Sequence, residues 1–266
     1  MARLGYGLNV LILSWPLGKH NGSIVKKTNE LSNICRRHTL PRPYDVVVPQ
    51  PYVPFIPKNW NGVLVLAEAQ NLSKGSPDVE WLKSATADER ISRLGREGRI
   101  AIRPWEDGSL KLAVEAALGI SSAKTAVSNA VPWSLVDEKG NNKNPTPDLI
   151  NRSKSLWSDL LQSLKPEHIV TAGAVARRTI TGATEKCGDK PLCTAWPLPS
   201  PRLFSPISQT IDELELMRRF PEVAKVIGRN PEWVKTRRPN KILFACLAVA
   251  TAKGGARKGD SHDNAD

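Results

Sequence analysis

Cysteine is scarce in this chain, with four thiols at positions 35, 187, 193 and 246 among 266 residues. So few thiols over such a length do not build a disulfide framework, and the gap between Cys187 and Cys193 fits neither a zinc pair nor a redox pair. Free thiols in a reducing compartment are expected, and the chain is read as cytoplasmic. His20, His38 and His262 show no metal-ligand spacing. Long apolar runs are absent as well. The stretch Ile242 to Ala252 is about half of the ~20 residues that a membrane span needs. Leu8 to Leu13 is too short for a secretory core and no small-residue cleavage site follows it. There is no internal repeat, so a solenoid is not expected. No glycine-rich dinucleotide fingerprint, P-loop or nucleophile elbow is present, which disfavours a small-molecule α/β enzyme.

Acidic residues are in deficit. Lys and Arg total 38 against 26 Asp and Glu, a formal net charge of +12 with pI about 9.7. The expected partner is therefore a polyanion, nucleic acid ahead of a membrane surface. Basic residues concentrate in two clusters: Lys26, Lys27, Arg36, Arg37 and Arg42, then Lys235, Arg237, Arg238 and Lys241. Apolar residues make up 40%, enough for a packed core.

The first sixty residues lack regular pattern, and six prolines between positions 41 and 59 predict extended connection. Val63 to Ala67 is a continuous apolar run, as in a strand buried on both faces. Ser76-Pro77 predicts a helix through Lys83, and Thr86 to Glu89 is a capping box for a helix that Gly95 would stop. Leu110 to Leu118 has helical spacing, Ala126 to Val131 reads as a second strand, and Asn141 to Pro147 as a loop. Pro147 opens a long amphipathic helix with the stripe Leu149, Leu156, Leu160, Leu161 and Leu164. His168 to Ala172 is a third strand, Gly173 a turn, and Ala174 to Thr179 the start of a helix. Thr210 to Glu213 is a second capping box, opening Leu214 to Phe220.

This alternation predicts a three-layer α/β/α protein with a central, mainly parallel four-stranded sheet. Residues 1–60 form an N-terminal extension packed on the core, 61–252 the α/β domain, and 253–266 a disordered tail whose charges cancel. Ligands of such sheets sit beyond the carboxyl ends of the strands. Ala67-Glu68-Ala69-Gln70-Asn71, Ser128-Asn129-Ala130-Val131-Pro132-Trp133, Ala172-Gly173-Ala174 and Trp196-Pro197-Leu198-Pro199-Ser200-Pro201-Arg202-Leu203 stand at those ends.

In that order these segments resemble the uracil-DNA glycosylase superfamily. The first is similar to the Gly-Glu-Ala-Pro-Gly motif of the thermophile-type branch, the second to the strand-end Asn motif, and Leu198-Pro199-Ser200-Pro201 to the His-Pro-Ser-Pro motif. Leu164 to Ala176 resembles that branch's strand–turn–helix, and Asn144 to Pro147 its preceding loop. The first motif here lacks its leading Gly and its Pro, Leu198 replaces the His, and the cysteines do not match the iron–sulfur ligands, so no cofactor is expected.

The resemblance implies a monomeric, hydrolytic DNA glycosylase acting on an everted base in double-stranded DNA. Glu68 would orient the attacking water and stabilise the cationic sugar. Asn129, a planar amide, would read a pyrimidine edge, with Gln70, Asn71 and Trp133 around the base. Gly173 and Ser200 would approach phosphates, as would Arg237 and Arg238. Arg202 or Leu203 would wedge into the gap left in the duplex. Asn71 stands where the uracil-specific enzymes carry a Tyr against the pyrimidine C5. A base with a bulky C5 substituent is therefore expected, such as glucosylated hydroxymethylcytosine of phage DNA, in anti-phage defence. Repair of uracil or another deaminated base is the alternative, and an inactive DNA-binding module the alternative of another class. Read from the residues alone, Trp133, Trp157 and Trp196 are expected in the core or a pocket wall, with Trp133 and Trp196 in loops that could touch a base, and His168 is expected to be structural.

Overall fold

A computed structural model describes residues 21–41, 46, 49–70, 102–134, 143–185, 188, 190–199 and 212–259. Four strands form the sheet: β1 (Val63–Gln70), β2 (Ala126–Ser134), β3 (His168–Ala172) and β4 (Leu192–Trp196). All pairs are parallel and the order is β2-β1-β3-β4. The three-layer α/β/α expectation holds. β1 and β3 are central, which is why Leu64, Val65, Leu66, Ile169 and Val170 are fully buried and read as unbroken apolar runs.

Side-chain alternation divides the strands between two cores. Leu64, Leu66, Ala126, Ala130 and Ile169 pack on one layer, made of α1 (Asn21–Arg37), α4 (Pro147–Leu164) and α5 (Ala174–Thr184). Val63, Val65, Ala67, Val127, Val170 and Ala172 pack on the other, made of α2 (Arg103–Glu106), α3 (Ser109–Leu118) and α8 (Arg238–Gly259). Outside that second layer lie α6 (Glu213–Arg219) and α7 (Pro221–Arg229). There Val223, Val226 and Ile227 of α7 close a third core with Leu112, Ile242 and Cys246.

Local chemistry explains the best-formed helix. Thr146 caps α4 by accepting from the Leu149 amide at 3.3 Å, and Pro147 takes the first turn, where no amide is needed. The five stripe leucines are buried. Lys165 ends the helix at φ 49°, returning its amide to the Leu161 carbonyl, and Pro166 forbids continuation.

Several expectations are corrected. The N-terminal sixty residues are not wholly irregular: α1 buries Leu31, Ile34 and Cys35, an i, i+3, i+4 stripe, and His38 Nε2 meets Asp159 Oδ2 of α4 at 2.8 Å. Val53, Ile56 and Trp60 pack against the same core. Phe55 exchanges both backbone bonds with Val127 at 3.0 Å and the Tyr52 amide reaches the Pro132 carbonyl, covering the free edge of β2. β2 runs past Val131 to Ser134, with Pro132 tolerated because this is an edge strand. Asp212, not Thr210, caps α6, accepting from the Leu214 and Glu215 amides. α8 continues to Gly259, so the boundary expected at Ala252 falls inside a helix. The helix at 76–83, the capping box at 86–89 and its Gly95 stop lie outside the described residues.

Candidate functional site

Because α3 runs from Gly108 back to the start of β2, its N-terminus lies at the carboxyl end of the sheet. α8 begins at the same end: the Lys241 ammonium is buried and donates to the carbonyls of Asp107 and Trp233. Gly108 (φ +87°) allows this approach, since a Cβ there would lie 2.7 Å from Trp233 Cβ. Burial pulls the Lys241 ammonium below the ordinary lysine range. α5 also starts here, after Gly173.

Asn129 sits on β2 opposite Ala67 of β1. In-register partners share a face, so Asn129 points with Ala67 and Val127 toward the α3/α8 layer. It is 3% exposed, and its Oδ1 is buried without a hydrogen-bond partner among the described residues. A buried carbonyl left unpaired is destabilising by about 1–3 kcal/mol, and its retention calls for an explanation.

Glu68 leaves β1 on the opposite face. Its Oε1 accepts from the Val175 amide of α5 at 3.0 Å. Gly173 makes room for it: a Cβ at that position would lie 2.6 Å from Glu68 Cγ and Cδ, and Gly173 has φ +106°. The Gly173 amide in turn donates to the Trp196 carbonyl at the end of β4 at 3.0 Å. Glu68 and Asn129, which the resemblance assigns to one reaction site, therefore do not project from one face of the sheet. The period of two along adjacent strands separates them.

Trp133, which the resemblance places around the base, is core. It is fully buried in the α1/α4/α5 layer and its indole donates to the Pro49 carbonyl at 2.8 Å. Trp157 is core too, bonded to the Ala130 carbonyl. Trp196 is 3% exposed, edge-on to Phe244 with centroids 6.3 Å apart. His168 donates to or accepts from Thr194 Oγ1 at 2.9 Å, and burial lowers its pKa, in keeping with a structural role. Leu198 lies just beyond β4, half-buried. Gln70 ends β1. Asn71, Ser200, Arg202 and Leu203 lie outside the described residues.

The basic clusters divide on inspection. Lys27 lies over the Trp60 ring at 4.9 Å, Arg36 donates to Asn33, and Arg37 stands 4.0 Å from Asp159. Arg238 is paired with Glu213 at 2.7 Å. Arg177 and Arg178, in the first turns of α5, are exposed and were missed by sequence reasoning, as they fall in neither charge cluster. The available signal was two arginines near a helix N-terminus, where the macrodipole disfavours cations.

A cavity of about 480 Å³ lies at the other end of α3, lined by Glu115, Gly119, Ser121, Glu222, Lys225 and Arg229. Its carboxylates are engaged: Glu115 with Ser122 and Arg229, Glu222 with Lys253 at 2.7 Å. Lys253 holds the Glu222 carboxyl below its ordinary range. Among the described residues no cluster of His, Cys, Asp and Glu is arranged to hold a metal, and no helix is long and apolar enough to cross a membrane. No protein-family model and no curated protein matches this chain. What the fold defines is a class: an open parallel α/β/α sheet, with the unpaired Asn129 Oδ1 on β2 level with the last residue of β3.

Proposed function

We propose that this protein is a monofunctional DNA glycosylase. It everts and hydrolytically excises a modified pyrimidine, one with a bulky C5 substituent such as glucosylated hydroxymethylcytosine in phage DNA, leaving an abasic site. The unpaired Oδ1 of buried Asn129 carries the reading. A pyrimidine edge offers the N–H donor that this oxygen lacks, and the same planar amide has two donors for a base carbonyl or ring nitrogen. Water attacks C1′ and gives up a proton to solvent, the C1′–N1 bond breaks, and the bonding pair leaves with the base. Donation from Asn129 stabilises that departing anion. Eversion requires a few kcal/mol of unstacking, which phosphate contacts by exposed cations offset. The C5 preference rests on Asn71 in place of Tyr.

Two observations favour a second reading, a DNA-binding module without hydrolytic activity: Glu68 is engaged by the α5 N-terminus and Leu198 stands where the motif His of the resemblance would. Mass spectrometry of bases released from glucosylated-hydroxymethylcytosine DNA and from uracil-containing duplex separates the cases. Release of the modified base is expected. Uracil alone would overturn the choice of base, and tight binding of both DNAs with no release would establish the second reading.

A further inference from the structure

The geometry points to Glu68 as a positioning residue that holds the β3–α5 turn in place for DNA, and not as the group that activates water. The inference rests on the carboxyl edge being the DNA site. Three strand ends meet at this turn. Glu68 of β1 accepts the Val175 amide, Gly173 lies between them with no room for a Cβ, and the Gly173 amide bonds the last carbonyl of β4. The Arg177 amide returns to the Gly173 carbonyl at 3.1 Å, so the turn sets where Arg177 and Arg178 begin. Both arginines are exposed. A carboxylate at the α5 N-terminus offsets the positive end of the helix dipole and satisfies one of its free amides. From there it faces the layer opposite Asn129, so it has no line to a water beside a base held by that amide. Removing Glu68 should loosen the turn and weaken the grip on DNA, leaving the hydrolytic step to other groups.

The test compares E68Q, E68A and G173A in the full chain. Three readouts are used: affinity for a duplex carrying a stable abasic-site analogue, the single-turnover rate of base release at saturating DNA across pH, and hydrogen exchange at the Val175 amide. Glutamine keeps an acceptor, so E68Q is expected to stay within about fivefold of wild type in affinity and rate, with the acid limb of the pH profile in place. E68A and G173A are expected to weaken DNA binding by about tenfold and to speed Val175 exchange, with the saturated rate kept. Loss of about a hundredfold or more in the E68Q rate, with affinity unchanged, is the signature of a general base and overturns the inference. Unchanged Val175 exchange in E68A overturns it too. If wild type releases no base, the glycosylase reading fails, while affinity and exchange still decide the role of Glu68. If wild type does not bind DNA, the grip on DNA fails with it.

Discussion

Asn129 stands against the ordinary rule for buried polar groups, and that makes its contribution separable. Its Oδ1 is orphaned in a site 3% exposed, so replacing the amide by a hydrocarbon of similar volume removes a desolvated group without breaking a recorded bond. N129L is therefore expected to leave stability unchanged or raise it by up to about 1–3 kcal/mol, while abolishing base release. Urea denaturation beside a base-release assay checks this. A destabilised N129L would mean that the amide is structural. Its place on the second strand was readable from the sequence, but β2 runs on past it to Ser134, and the direction it faces was not readable. That depends on Ala67 pairing with Asn129 across some sixty residues, and no local pattern contains that register. Sequence separation likewise hid the role of Glu68, whose partner Val175 lies 107 positions away.

At the scale of elements, the turn between α2 and α3 is held to α8 by one buried ammonium. Lys241 donates to Asp107 and Trp233 carbonyls and to Thr236 Oγ1 at 3.5 Å, and those carbonyls lose their donor in K241M. K241M is expected to be less stable by about 1–3 kcal/mol at pH 7. The pH dependence has a definite sign. A lysine whose folded pKa is lowered binds fewer protons folded than unfolded between that value and its ordinary 10.5. Stability from this group therefore rises with pH through that window. Cys35 and Cys246, pushed by burial from 9.0 to about 12, act in the opposite sense above pH 9. Urea midpoints of wild type minus K241M isolate the lysine, and the difference is expected to grow as pH rises toward 10.5. Elements with periodic faces, such as α4 with its leucine stripe, were legible. α8 was not, because Ile242, Leu243, Phe244, Ala245 and Cys246 are all buried, so it shows an apolar run without helical period. β4 is short and half-exposed, with Leu192 65% exposed, and offers no alternation.

Over the whole molecule, net charge says less than where unspent cations lie. Among the described residues several basic side chains are engaged, as Lys27, Arg238 and Lys241 show. Arg177 and Arg178 begin α5 in one layer, and Lys235 and Arg237 precede α8 in the other, all exposed and without an ion pair among the described residues. Both groups lie at the carboxyl end of the sheet, on either side of the edge that carries Asn129. A duplex lying across that edge would meet cations from both layers. Each phosphate neutralised lowers the slope of log affinity against log salt by about 0.9, so four contacts give a slope of about −4. Titrations of labelled duplex at several salt concentrations should find at least that slope in wild type. R177A/R178A is expected to flatten it by about 2 units and R237A by about 1, with base preference unchanged, because phosphate contacts carry no sequence information. A slope indifferent to all three substitutions would move the DNA to another face.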